Sequence, residues 1–205
     1  MEARSSARDE KQRLRRSMRS ARRALAPEAQ AQAARALAAF ARSEPLASAR
    51  TVAAYVATDG EIDVAPLLDR LRASGSRLLL PRLRADGALD LVAFESGATL
   101  RPAGPGAIPE PDGEPVTLSE AATPAVLLAP AVALDGRGAR LGRGGGGYDR
   151  LIPDLRRSGW CLLGVCHALQ IVDRLPIEEH DQPVDGTLSE AGLAWVDPSR
   201  GGARS

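Results

Sequence analysis

Beyond residue 50 the chain switches period again and again. Short runs of β-branched and aliphatic residues alternate with segments in which apolar side chains recur at helical spacing. Thr51–Ala57 reads as a buried strand, Thr58-Asp59-Gly60 as a turn, and Val64–Ala73 as a helix closed by Gly75. Arg77–Leu83 is a second strand, with Leu89–Phe94 its hairpin partner across the Asp86-Gly87 turn. Residues 95–124, rich in proline, glycine and acid, read as a long surface loop. Ala125–Leu134 is another buried strand, followed by a glycine-rich stretch, a helix near Tyr148–Arg157 and a strand over Trp160–Cys166. The remainder reads as loop with one short strand near Leu193–Val196. Strands separated by helices imply an α/β fold with a largely parallel sheet.

Ahead of this alternation the sequence predicts two helices. Leu14, Met18, Ala21 and Leu25 form one apolar face of the first, with Lys11, Arg15 and Arg22 on a ridge beside it. Pro27 suits the first turn of the second, alanine-rich helix, which ends before Pro45. The 205 residues form one expected domain, with tails at 1–7 and 198–205 expected to be disordered.

Composition excludes several classes. With 44% apolar and 26% charged residues the chain is an ordinary globular one. No apolar run approaches the ~20 residues of a membrane-spanning helix, and the basic N-terminus lacks the apolar segment of a secretory signal. Cys161 and Cys166, an odd spacing apart in a strand, fall on opposite faces and read as reduced core residues, which points to the cytoplasm. Charge is unevenly distributed. Residues 1–50 hold 12 Lys/Arg against 5 Asp/Glu, whereas 86–123 and 173–197 each hold seven acids and one arginine. An anionic ligand between the basic and acidic parts, with a divalent cation on the acidic side, suits that asymmetry; solvated surface charge is the plainer alternative.

Asp135–Arg150 is the most informative segment. Glycines let backbone N–H groups approach an anion, and the following helix N-terminus adds a favourable dipole. Arg140 and Arg143 supply charge to phosphate oxygens, and Asp149 in the first helical turn is placed to meet a phosphate-bound magnesium ion. Gly142, Gly144 and Gly147 satisfy G-x-G-x-x-G, but no acid stands about 20 residues on, so a dinucleotide fingerprint is disfavoured. The Gly-Lys-[Ser/Thr] ending of a Walker loop is absent.

The run from Leu141 to Arg150, Leu-Gly-Arg-Gly-Gly-Gly-Gly-Tyr-Asp-Arg, resembles the signature of the 5-formyltetrahydrofolate cyclo-ligase family, the 5,10-methenyltetrahydrofolate synthetases. Further matches follow in order from about residue 8 to 190: Lys11 to Arg15, Tyr55 to Ile62, Leu80-Pro81-Arg82, Ala129 to Asp135, Gly164-Val165, Gln170, Leu175-Pro176, His180-Asp181 and Val184-Asp185. The resemblance implies a three-layer α/β sandwich of the ribose-isomerase and CoA-transferase kind. It implies that 5-formyltetrahydrofolate and ATP, with Mg²⁺, become 5,10-methenyltetrahydrofolate, ADP and phosphate through a phosphorylated formyl group. By matching position, Lys11, Arg15, Arg140, Leu141, Gly142, Arg143, Gly144, Gly145, Gly146, Gly147 and Tyr148 would bind ATP. Val56, Glu61 and Tyr148 would bind the folate, Asp149 and Asp181 the metal, and Arg143 and Tyr148 would serve catalysis. Many members carry an aromatic residue where this chain has Gly147. The implied partners are reduced folate and ATP alone, with no nucleic acid or membrane, and the implied state is a monomer.

Other residues read more simply. His167 suits a supporting role better than that of a base, and Trp160 and Trp195 suit the core or its edge. Glu178, Glu179 and His180 beside Asp181 read as metal-binding or as exposed charge. Asp185 and Glu190 are candidates to support an acidic wall. Two other functions compete: a phosphate-handling enzyme of the sugar-phosphate isomerase kind, and a non-catalytic folate- or nucleotide-binding protein. Neither an isomerase nor a drifted binder would consume ATP, and an isomerase gives Lys11 and Arg15 no task.

Overall fold

A computed structural model describes residues 2–95, 98–103 and 108–201. In chain order the elements are α1 (Glu2–Arg23), α2 (Pro27–Ala39), β1 (Thr51–Ala53), α3 (Ala65–Ala73), β2 (Arg77–Leu83), β3 (Leu89–Ala93), β4 (Leu100–Ala103) and β5 (Ile108–Pro111). Then follow β6 (Ala125–Pro130), β7 (Ala133–Asp135), β8 (Arg140–Leu141), α4 (Gly147–Arg157), β9 (Cys161–Val165), β10 (Ile171–Val172), β11 (Gly186–Ser189) and β12 (Gly192–Trp195).

The central sheet runs β12-β11-β9-β6-β1-β2-β3. Its five inner strands are parallel, and each edge strand pairs antiparallel with its neighbour. Side-chain alternation divides the core in two. Val126 and Leu128 of β6 face α2 and α3 with Leu37, Leu67 and Leu71. Leu127 and Ala129 face the other way, onto Ile152 and Leu155 of α4. The expected helix–sheet–helix sandwich is therefore present. Cys161 and Cys166 belong to opposite core layers, and burial pushes both thiols up, Cys161 to about 12, so neither is a ready nucleophile.

Several expected elements differ. The strand expected over Thr51–Ala57 ends at Ala53, where the chain leaves the ladder for the coil that carries residues 54–62. Ala125–Leu134 is not one strand. It breaks after Pro130, and β7 joins a separate sheet in the order β10-β7-β8. The switch is made at Val132, whose N–H donates to Leu141 O at 2.7 Å, whereas Ala131 N–H still donates to Val165 O; the Asp135 carboxylate then accepts from Arg137 N, Ala139 N and Leu175 N at 2.9–3.0 Å and closes the β7–β8 turn. Residues 95–124 are not a plain loop, since β4 and β5 form a hairpin there; residues 96–97 and 104–107 lie outside the described residues. β11 has little local signal, because it is only four residues long and Gly186 and Ser189 at its ends are weak strand formers, although all four residues are buried. Of the expected tails, residues 1 and 202–205 lie outside the described residues. α1 begins at Glu2, and a 3-10 turn spans Pro198–Gly201.

α1 packs at one end of the sheet in an unusual way. Leu14 and Met18 rest on Ala133, Leu141 and Leu175 as the apolar face predicts, but Ala21 is exposed. The deepest positions are the charged ones, Lys11 at 4% exposure and Arg22 at 0%. Carboxylates wait for both, which is what makes such burial tolerable.

Candidate active site

Four chain segments meet in one cleft of about 820 Å³. The first is α1, which contributes Lys11 and Arg15. Lys11 Nζ donates to Glu178 Oε2 at 2.7 Å and to Asp181 Oδ2, bridging the segment before β11. The Lys11 ammonium is the main reason that the Glu178 carboxyl is held below the usual range. Arg15 Nε donates to the Gly142 carbonyl at 2.8 Å.

The second segment is the glycine loop between β8 and α4. Gly144 and Gly146 have φ of +105° and +68°, a conformation that L side chains rarely adopt, and Gly146 caps α4 in it. Arg150 gathers the loop by donating to Gly145 O at 2.9 Å and to Gly87 O. The first N–H groups of α4 have no acceptor within the helix, and Gly147, Tyr148 and Asp149 line the cleft there. Arg140, 2% exposed, donates to Asp149 Oδ1 at 2.8 Å, and its guanidinium lies 5.4 Å from the Tyr148 ring centroid. Burial, reinforced by Glu61, pushes the Tyr148 phenol well above its ordinary value.

The third segment is the coil after β1. Glu61, 6% exposed, accepts from Thr58 N at 3.1 Å and pairs with Arg143, whose Nε reaches Oε1 at 3.1 Å and whose Nη2 reaches Oε2 at 2.9 Å. Arg143 also donates to the Thr58 carbonyl and hydroxyl. The fourth segment brings Glu178, His180 and Asp181, whose donor atoms lie within 4.8 Å of one another.

The structure thus gathers Lys11, Arg15, Glu61, Arg140–Asp149 and Asp181 around the cleft. Val56 is not among the lining residues. Asp149 stands outside the Glu178–His180–Asp181 group but is tied to the same segment, its Oδ1 accepting from Gln182 N at 3.4 Å. Carboxylate oxygens of this kind fit a hard divalent cation. Asp149 Oδ2 accepts no hydrogen bond among the described residues, whereas the pair Glu178 and Asp181 already has a cation in Lys11.

Among the lining residues that no sequence signal assigns to the site, Leu83, Leu89 and Ile108 form an apolar wall. Ile108 arrives on the β4–β5 hairpin, whose pairing no local signal announces. Leu89 fills the space beside Gly147, where a Cβ would stand 3.0 Å from its Cγ. His167 is buried away from the cleft, neither ring nitrogen has a hydrogen-bond partner among the described residues, and burial holds its pKa below the ordinary value. Asp185 accepts from Leu162 N and Glu190 from Ala168 N, so both brace the sheet end and neither lines the cleft.

Comparison with known proteins agrees with this arrangement. The model of the 5-formyltetrahydrofolate cyclo-ligase family matches residues 7–190. A 5-formyltetrahydrofolate cyclo-ligase of Escherichia coli K12 is 33% identical over 180 residues, covering 84% of this chain and 96% of that protein. One from Mycolicibacterium smegmatis is 36% identical over 155 residues, covering 69% of this chain and 74% of its own. The NMR structure of Aquifex aeolicus 5,10-methenyltetrahydrofolate synthetase superposes with a TM-score of 0.75 at 30% identity, over 95% of each chain. A 5,10-methenyltetrahydrofolate synthetase from Mycoplasma pneumoniae, at 20% identity and a TM-score of 0.70 over 88% of this chain and 98% of its own, shares the fold. With its glycine loop, its basic helix and its coil carboxylate in one cleft, and with a match running through nearly all of its length, this chain belongs to the 5-formyltetrahydrofolate cyclo-ligase family.

Proposed function

We propose that the cleft binds ATP and 5-formyltetrahydrofolate side by side and converts them to 5,10-methenyltetrahydrofolate, ADP and phosphate. The formyl oxygen attacks the γ-phosphorus and the bond to ADP breaks, giving an imidate phosphate. N10 then attacks the activated formyl carbon, loses its proton and closes the ring as phosphate departs. Phosphoryl transfer needs positioning and charge stabilisation more than covalent help. The α4 N-terminus, the glycine loop and Arg140 suit the phosphates, and Lys11 and Arg15 suit the nucleotide side. Glu61 suits the N–H donors of the pterin, and the wall of Leu83, Leu89 and Ile108 suits the apolar faces of the folate. Tyr148 keeps its proton and donates. Asp149 and Asp181 would hold a magnesium ion, which would neutralise phosphate charge when bound.

The observation that carries this reading is the meeting of the glycine loop with Glu61, through Arg143, in a single cleft. The working unit is taken to be a monomer in the cytoplasm. Among the described residues no helix is long and apolar enough to cross a membrane.

Absorbance at the methenyl band, followed after mixing the protein with 5-formyltetrahydrofolate, Mg²⁺ and ATP, tests the reading against an ATP-free control. An ATP-dependent rise is expected. Folate binding without a rise would leave a non-catalytic binder, and neither would favour another phosphate-handling enzyme.

A further inference from the structure

Behind the cleft wall lies a guanidinium that the proposed reaction does not use. Arg22, in the last turn of α1, is fully buried and does not line the cleft. Residues 58–61 wrap around it. Its Nε donates to the Asp59 carbonyl at 2.8 Å and its Nη2 to Asp59 Oδ2 at 2.9 Å. Gly60 runs so close that a Cβ there would stand 3.4 Å from the Arg22 carbonyl oxygen. The third nitrogen, Nη1, is buried with no hydrogen-bond partner among the described residues and lies 3.8 Å from Glu61 Oε1.

Charge makes that last contact important. The Asp59 carboxylate also receives Arg19 and Arg23, so one negative charge serves three guanidinium groups. A buried guanidinium left without its own counter-ion is strongly unfavourable, and Glu61 is the other carboxylate paired with Arg22. Glu61 therefore stands between two cations. Arg143 approaches from the cleft on the glycine loop, its side chain one-third exposed at 34%, and Arg22 approaches from behind at 0%. Only the first is free to exchange its partner for a substrate.

We propose that Arg22 is a positioning residue for the reduced folate. It is the permanent cationic neighbour that holds Glu61 aimed at the pterin from behind, while Arg143 is the exchangeable partner, turning toward phosphate oxygens as the pterin takes its place on Glu61. This rests on Glu61 being a folate ligand, as argued above.

The test combines kinetics with equilibrium binding of 5-formyltetrahydrofolate by calorimetry on the full chain. Arg22→Gln is expected to raise the folate KM and Kd about tenfold while the ATP KM moves less than about twofold. Arg22→Lys restores most of the loss. In a Glu61→Gln background, Arg22→Gln should weaken folate binding by less than about twofold, because the interaction is already gone. An equal loss in both backgrounds, or a matching rise in the ATP KM, would reduce Arg22 to a structural support and overturn the proposal. Thermal unfolding without ligand covers the case in which Arg22 variants do not accumulate. Glu61→Gln should lower Tm more than Arg143→Gln, since it alone takes the acidic neighbour from Arg22 Nη1 and leaves Asp59 to serve three guanidinium groups; an equal or smaller fall overturns the pairing. Wild-type protein that turns over without this coupling refutes the role of Arg22 alone. Wild-type protein with neither turnover nor folate binding refutes the functional reading beneath it.

Discussion

Arg15 Nε donates to the Gly142 carbonyl at 2.8 Å across 127 residues of sequence. The contact fastens the first helix to the mouth of the glycine loop, so a change in α1 is felt where phosphate is expected to bind. Arg15→Ala should raise the ATP KM about tenfold, the scale of one lost charge-assisted hydrogen bond, and leave the folate KM within about twofold. Steady-state kinetics with each substrate varied in turn would decide it. A larger effect on folate would mean that the helix serves the other substrate.

Gly147 and Leu89 share one space. A Cβ on Gly147 would sit 3.0–3.4 Å from three carbons of Leu89, so a ring there needs the leucine to give way. Gly147→Phe alone should lower Tm and raise the folate KM, with overpacking costing about 1–3 kcal/mol. Adding Leu89→Ala should recover much of both losses. If the double variant is no better than the single one, the two positions are not exchangeable.

Asp149 is the carboxylate best placed to meet a metal from the α4 side, while His180 is 72% exposed and distant from that role. Asp149→Asn should raise the Mg²⁺ concentration for half-maximal rate about tenfold and lower the rate itself. His180→Ala should change neither by more than about twofold. Titration of Mg²⁺ at saturating ATP separates the two, and the reverse pattern would move the metal site to the Glu178–His180–Asp181 group.

Asp135 has no solvent exposure in its side chain. Burial pushes its carboxyl up, but hydrogen bonds from Leu175, Arg137 and Ala139 outweigh burial and hold it below the ordinary value of 3.8. A depressed folded-state pKa adds stability that is present above 3.8 and lost as pH falls through the folded value. Asp135→Asn should therefore cost about 2–3 kcal/mol at neutral pH and flatten the acid limb of the stability curve below pH 4. Denaturant unfolding at pH 7 and in acid measures both; an unchanged acid limb would place the acid-sensitive group elsewhere.

Much of the fold was legible because its signals are local. β2 was bounded correctly from Arg77 to Leu83, and α3 and α4 each differed by one residue at the start. Apolar period and glycine caps act within a few residues, so they can be read along the chain. The split of Ala125–Leu134 could not be read so, because both halves are apolar. It shows only in the partners of Ala131 and Val132, which donate to Val165 on one sheet and to Leu141 on the other, and in Gln170 donating to the Val132 carbonyl from 38 residues away. β11 was missed for a similar reason: its polar residues are strand only because β9 and β12 flank them.

The glycine loop, the basic residues of α1 and the order of the elements are properties of the sequence, and they sufficed to indicate the family. Tertiary structure alone decided the pairings. It put Lys11 between Glu178 and Asp181, buried Arg22 behind Glu61, and brought Leu89 and Ile108 to the cleft wall. Ion pairs and apolar contacts depend on distance in space, and a charge carries no mark of which distant partner will compensate it when both leave water.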